Sequence, residues 1–423
     1  MRDSAGIPGG TDAAGGEQPP NGRKRRRLLR WIGLGTGMLV VAGAGTGWWI
    51  YDKLDGNIAE DTSAAAELRR YEKERPAHLA GGAQNILLIG SDSRTGAGNA
   101  PYGQDQGTQR SDTTILLHLP ADRKSATAIS VPRDLMTEIP ACLKPDGSRT
   151  REQFAQFNWA FEWGGTACTV RTVEAMTGIR VDHHMVLDFS GFKKMVDAIG
   201  GVEVCLRRPV DDTEAKLKLP AGRQTLQGEQ ALGFVRARHS LGNGSDTERM
   251  ERQQAFLGSL VKKVQSNGVL LNPARLYPLL DAATSSVTTD PGLASLRGLY
   301  ELVRGVRDIP TEQIKFLTVP RRPYAADRNR DELRQPDATQ LFQRLRSDQP
   351  LTIAPPAPTP TPAPATADDG AEGDGADGDG ADGETSGTTS GTTSGTGDRP
   401  GTAEPSSPVP TFTGTTAGVA DCR

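Results

Sequence analysis

Between Trp31 and Tyr51 the chain carries no charged side chain: WIGLGTGMLVVAGAGTGWWIY. At 1.5 Å per residue a helix of that length reaches about 30 Å, the thickness of a hydrocarbon core. The basic run RKRRRLLR precedes it, and Trp48, Trp49 and Tyr51 close it like an interfacial aromatic belt. Residues 31–51 are therefore expected to be a transmembrane signal-anchor helix, with residues 1–30 a basic cytoplasmic segment and the rest of the chain extracytoplasmic. A cleavable signal peptide shares the basic start. The long apolar run and the lack of a clear small-residue cleavage site favour the anchor. Its glycines suit either a helix-pairing face or a merely tolerant span, and the second is the simpler expectation.

That placement governs how the four cysteines read. Disulfides persist outside the cytosol, and no CxxC spacing suggests a metal cluster. Cys142 and Cys168 flank one predicted helical segment and are expected to pair. Cys205 either joins Cys422 in a second bridge or stays free and buried.

Composition divides the remainder. Residues 52–80, with AAAELRRYEKERP, are polar and helix-prone and read as a stalk that ends at Pro76 and the glycines 81 and 82. Residues 351–423 run through PPAPTPTPAPA, acidic Gly/Asp repeats and TSGTTSGTTSG. Such a stretch buries too little apolar surface to offset the entropy of ordering, so a disordered tail is expected.

Between them, residues 81–350 form the predicted folded domain. QNILLIG, TTILLHL and ATAISV are short runs rich in Ile, Leu and Val, as in buried strands. FNWAFEWGG, TVRTVEAMTG and SGFKKMVDAIG read as helices that stop at glycine. The expected fold is α/β, a three-layer α-β-α sandwich.

Charges gather at the ends of these runs: Asp92 and Arg94 in IGSDSR, Arg110 and Asp112 in RSDTT, Arg133 and Asp134 in SVPRDL. In open α/β sheets such edges form ligand crevices, although isolated surface ion pairs would look the same. Further on, LGFVRARHS places Arg236 and Arg238 on one side if it is extended. Two guanidiniums side by side repel unless an anion lies between them. Ser245 and Glu248 have capping-box spacing, so a helix should start at Ser245 or Asp246. Its apolar stripe is Met250, Leu257, Leu260, Val261 and Val264, bordered by Arg249 and Gln253, while Arg252 turns toward solvent.

Arginine suits phosphate oxygens because its planar fork donates bidentately and keeps its charge. Asp92 and Asp112 would compete with an anion unless a divalent cation bridged them to it, which points to Mg²⁺ or Mn²⁺ on a diphosphate. Nucleic acid is the poorer ligand: the net charge is −3 and no aromatics interleave the basic residues.

From about residue 84 to 266 the chain resembles the LytR-CpsA-Psr family of bacterial cell-wall proteins. The likeness is carried by NILLIGSDSR, RSDTTILLHL, ISVPRDL, FNWAF, DFSGFKKMVDAIGGVEV, GEQALGFVRAR and SDTERMERQQ. It implies a membrane-anchored phosphotransferase that moves a glycopolymer, such as teichoic acid or capsule, from a polyprenyl diphosphate carrier to peptidoglycan or a linked wall polysaccharide. It also implies Mg²⁺ at Asp92 and Asp112, and diphosphate contacts from Arg110, Arg133, Arg236, Arg238, Arg249 and Gln253, with Arg94 added from the charge pattern. Arg133, Arg236, Arg238, Arg249 and Asp246 are the expected catalytic residues, and Asp134 and Asp246 the candidate bases. Two features depart from the family pattern: Ser245 where a glycine usually precedes Asp246, and the insertion-like TGAGNAPYGQDQGTQ. Phe189, Phe192, Met195, Val196 and Ile199 would suit an apolar trough for the carrier or, more simply, core packing. A pyrophosphatase with water as acceptor and a non-catalytic wall-binding or regulatory protein are the rival readings.

Overall fold

Strand β2 (Gln84–Ser91) sets the architecture through its alternation. Leu87 and Ile89 join one apolar cluster, while Ile86 and Leu88 join another on the opposite face. A computed structural model describes residues 22–91, 111–206, 208–237, 246–266, 272–355 and 410–419.

The other strands are β1 (Ala59–Glu60), β3 (Ser111–Leu119), β4 (Ala126–Val131), β5 (Met136–Ile139), β6 (Gln153–Gln156), β7 (His183–Asp188), β8 (Val202–Leu206), β9 (Val210–Asp212), β10 (Leu217–Leu219), β11 (Gly222–Leu226), β12 (Val287–Thr289), β13 (Ile314–Thr318), β14 (Arg321–Tyr324), β15 (Asp327–Leu333), β16 (Thr352–Ala354) and β17 (Thr411–Thr416). The helices are α1 (Gly22–Gly56), α2 (Thr62–Arg70), α3 (Asn158–Thr177), α4 (Phe189–Ala198), α5 (Gly228–Arg236), α6 (Asp246–Gln265), α7 (Pro273–Thr284), α8 (Leu296–Arg307) and α9 (Asp337–Arg346).

Nine strands make one mixed sheet in the order β1-β12-β7-β2-β3-β4-β13-β17-β16. One face is covered by α2, α3 and α9 through Leu68, Val170, Val173, Leu341 and Leu345. The other is covered by α6 and α8 through Leu257, Val261, Leu302 and Val306. The layering is the α-β-α sandwich expected. Beside it, α4, α5 and β8–β11 enclose a further cluster into which α6 sends Phe256, Leu260 and Val264. Helix α6 thus splits its apolar residues between two cores and ties the lobe to the sandwich.

Cys142 and Cys168 are bonded, with Cα atoms 5.5 Å apart. The bridge lies against Gly164, where a Cβ would come within 2.8 Å of the Cys168 Cβ and 2.9 Å of the Cys142 Cβ. Helix α3 changes direction there, and Gly165 at φ +60° supplies the backbone that other residues avoid. Cys205 is disulfide-bonded rather than free; Cys422, its expected partner, lies outside the described residues.

Three expectations are corrected. Residues 52–80 are not a free stalk: Leu54, Ile58, Ala64 and Leu68 are buried, β1 is a strand of the sheet, and Asp61 caps α2 by accepting from the Ala64 N–H at 2.9 Å. The helix-prone composition hid an apolar spacing that suits this packing. The tail is not wholly apart from the fold either. Strands β16 and β17 belong to the main sheet, and Phe412 of TFTGTT is 5% exposed. LGFVR is helical rather than extended, because Gln227 and Gln230 form a reciprocal capping box and Ala231, Leu232 and Phe234 bury one face. Residues 31–51 lie inside the 35-residue α1, and no described helix is long and apolar enough to cross a membrane on its composition alone. Six glycines and two threonines dilute the uncharged run.

Candidate functional site

The pairing register brings the charged strand ends together. Ser91 pairs with Ser111, and Thr114 pairs with Val131, so β2 ends, β3 begins and β4 ends on one edge of the sheet. Arg133, just past β4, donates from Nη1 to Asp112 Oδ1 at 3.0 Å and from Nε to Asp134 Oδ2 at 3.2 Å. Asp134 also accepts from Arg330 Nη1 at 3.2 Å and from Gln156 Nε2 at 3.4 Å. Both its oxygens are engaged by guanidinium groups, an arrangement that orients arginines and leaves little room to act as a base.

Helices α5 and α6 supply the facing wall. Arg236 is the last residue of α5, and its guanidinium lies 4.6 Å from the centre of the Phe189 ring. Arg249 in the first turns of α6 is 6% exposed. Four residues on, Gln253 donates to the Val235 carbonyl at 3.1 Å. Arg252 is not solvated as expected: it donates to the Ala237 carbonyl and so locks the end of α5 to α6. Asp246 opens α6. Asp92, Arg94, Arg110, Arg238 and Ser245 lie outside the described residues.

Asp112, Arg236, Arg249 and Gln253 line one cavity of about 1380 Å³ whose remaining walls are mainly apolar. From α4 come Phe189, Phe192 and Met195, whereas Val196 and Ile199 are packed in the core, so the expected trough is half right. Sequence reasoning missed the rest of the lining. Leu276 and Leu280 of α7, with Leu299 and Leu302 of α8, complete it. Their signal was the leucine spacing in LYPLLDAAT and LRGLYELVRGV. Arg330, too, was missed, because its partner Asp134 lies far away in sequence.

The Asp112 side chain is one-third exposed although it holds Arg133. It therefore offers a hard carboxylate oxygen to the cavity, the donor type a magnesium ion takes. Among the described residues no group of three His, Cys, Asp or Glu converges as a metal site.

The LytR_cpsA_psr family model matches residues 55–347. The chain belongs to the LytR-CpsA-Psr family. Within it, the chain is 35% identical over 308 residues to the cell wall biosynthesis protein LcpA of Corynebacterium glutamicum, covering 67% of this chain and 58% of that protein. The probable cell wall biosynthesis protein LcpB of the same organism is 37% identical over 214 residues, covering 49% of this chain and 48% of LcpB. This LytR-CpsA-Psr protein thus matches only about half the length of each. It is 27% identical over 315 residues to TagT of Bacillus subtilis, a polyisoprenyl-teichoic acid–peptidoglycan teichoic acid transferase, covering 70% of this chain and 89% of TagT. Among solved structures, a LytR-Csp2A-Psr enzyme from Actinomyces oris superposes with a TM-score of 0.50 at 22% identity, covering 64% of this chain and 93% of that one, which shows the shared fold.

Proposed function

We propose that this protein is a membrane-anchored phosphotransferase that moves a glycopolymer from a polyprenyl diphosphate carrier to peptidoglycan or a linked wall polysaccharide. The observation that carries the reading is one cavity with two chemistries. Its wall is mainly apolar, with leucine, phenylalanine and methionine foremost, and its polar end holds Arg236, Arg249, Gln253 and Asp112, the last held from behind by Arg133. A ligand that satisfies both has a long apolar chain and a multiply anionic head. The activity named for TagT concerns a ligand of that kind.

In this reading an acceptor hydroxyl attacks the sugar-proximal phosphorus. Its oxygen forms the new P–O bond as the bond to the bridging oxygen breaks. Polyprenyl phosphate leaves with that oxygen, and the hydroxyl proton passes to solvent or to the departing phosphate. Charge spreads over the transferring oxygens, so stabilisation by fixed guanidinium groups supplies most of the rate. Arg249 is held by burial, Arg236 by the Phe189 ring, and Arg133 by its two aspartates. Asp112, with Asp92, would hold a magnesium ion, which neutralises diphosphate charge when bound. Asp134 positions Arg133 and Arg330.

Anchoring by α1 belongs to the same proposal. Its segment 31–51 is uncharged, follows a basic run and ends in tryptophans, and among the described residues its apolar side chains Trp31, Leu34, Met38, Leu39 and Val41 are all exposed. The test is the full chain in proteoliposomes with radiolabelled polyprenyl diphosphate sugar, Mg²⁺ and peptidoglycan fragments, beside Arg249→Ala and Asp112→Asn. Label should move to the glycan with the wild type and not with either variant. Release to water alone would replace the transferase by a pyrophosphatase, and binding without turnover by a wall-binding protein.

A further inference from the structure

Among the described residues, helix α8 has a face with exposed apolar side chains. Leu302 and Val306 pack inward, yet Tyr300 is 63% and Val303 51% exposed. Arg297, Arg304 and Arg307 are exposed on the same helix, against Glu301 and the adjoining Asp308. Exposed apolar side chains bordered by arginines are the make-up of a helix that lies in the plane of a bilayer interface.

Where α8 begins is fixed by α1. The Asp55 carboxylate, one residue before the end of α1, accepts the first N–H of α8 at Leu296, 2.7 Å away. The last turn of α1 is docked as well: Leu54 is buried, and Lys53 meets Asp281 at 3.1 Å and the Tyr277 hydroxyl at 3.0 Å. Helix α8 thus starts where the anchor would leave the membrane, with no slack between them.

The cavity reaches the surface along this helix. Tyr51 of α1 and Tyr300 and Val303 of α8 line it while being largely exposed themselves. Its polar end lies near the Ser91–Ser111 pair, whereas Leu302 and Val306 share a cluster with Ile86, five residues or about 16 Å back along β2.

We propose that α8 is an interfacial helix: it lies on an anionic bilayer surface beside α1, with Tyr300 and Val303 in the acyl region and Arg297, Arg304 and Arg307 at the headgroups. A carrier chain then passes from the bilayer into the cavity between α1 and α8 without crossing water. The inference rests on the anchor proposed above. Three arginines stand against two carboxylates on this face, Arg297 pairing with Glu301 at 3.0 Å and Arg307 with Asp308 at 3.7 Å, so the helix keeps a net positive charge that suits an anionic lipid surface, where an arginine contributes up to roughly fivefold in affinity.

The experiment uses the full chain in vesicles containing phosphatidylglycerol, with an environment-sensitive fluorophore on Tyr300→Cys. Labelled Gln343→Cys, exposed on α9 across the sheet, is the control, and the unsubstituted chain corrects for background labelling. The expected result is flotation of both proteins with the vesicles, strong quenching of the residue-300 label by brominated acyl chains, and little effect at 343. Adding Arg304→Glu and Arg307→Glu should shift the residue-300 emission toward that of water while flotation persists. Flotation with a water-exposed 300 label overturns the proposal and leaves the anchor standing. Failure to float overturns the anchor itself. A shielded label indifferent to bromination means a protein contact and also refutes the helix assignment.

Discussion

Arg133→Ala tests the polar end of the cavity most sharply, because one guanidinium serves two carboxylates at 3.0 and 3.2 Å. Each charge pair is worth about 4 kcal/mol at the effective dielectric near a protein surface, before desolvation and ordering remove much of it. Exposed pairs retain about 0.2–1 kcal/mol, while deleting one partner of a buried pair costs about 3–5 kcal/mol. The side chains of Arg133, Asp112 and Asp134 are 21%, 33% and 18% exposed, between these limits. Arg330 still holds Asp134 in the variant. The stability loss should therefore be about 1–3 kcal/mol, a fall of roughly 2–10 °C in Tm by calorimetry. Transfer of label from the lipid carrier should fall much further, about 10²–10³-fold, as for a removed oxyanion donor. Arg133→Lys separates the two effects. A single ammonium keeps the charge but not the fork, so it should restore most of the Tm and little of the rate. The reasoning fails if Arg133→Ala turns over within a few-fold of wild type, or if Lys restores transfer along with stability.

Replacing both Cys142 and Cys168 by alanine opens a crosslink spanning 26 positions and should cost about 3–4 kcal/mol, read as a lower guanidinium midpoint. Phe412→Ala should cost about 3–5 kcal/mol despite its place in a low-complexity tail; a change below about 0.5 kcal/mol would mean that β17 does not pair in solution. Acidification is the third perturbation. Burial, helped by the Arg123 charge and opposed by Asp348, holds the His118 pKa below its ordinary 6.5. The unfolded chain then binds more protons as pH falls through and below 6.5, so the stability tied to neutral His118 is present above that pH and lost beneath it. His183 has the opposite sign: burial lowers its pKa, but the bond to Asp290 and that carboxylate's charge reverse the effect. A His118→Gln variant should therefore lose less Tm than wild type between pH 7 and 5; equal losses would exclude His118 as the cause.

The strands were readable because β-branched and leucine-rich runs such as QNILLIG must be buried on both faces, and the sheet buries them so. The α6 start and the Arg249–Gln253 pair were readable because helical spacing is local. The cavity was not. Its walls come from α4, α5, α6, α7 and α8, and no local pattern says which leucines face a void and which face each other. The condition that placed Arg236 and Arg238 on one side, an extended LGFVR, fails because the segment's start is a capping box formed by two glutamines, a weak signal in sequence. TFTGTT escaped notice because a single buried phenylalanine earns it a place in the sheet, and composition averaged over a tail conceals one residue.

Strand β17 lies between β13 and β16, inside the sheet rather than at its rim. The chain leaves the sheet after residue 354 and rejoins it at 411, so two neighbouring strands are joined across a long stretch of sequence. Closing so long an excursion costs about 3–4 kcal/mol in chain entropy. It also sets an order of assembly. A ribosome must deliver residue 416 before the sheet can be completed. Protease cleavage between the two strands would leave β16 continuous with the rest of the chain and remove the main-chain link to β17, turning its place in the sheet from an intramolecular closure into an association between two fragments.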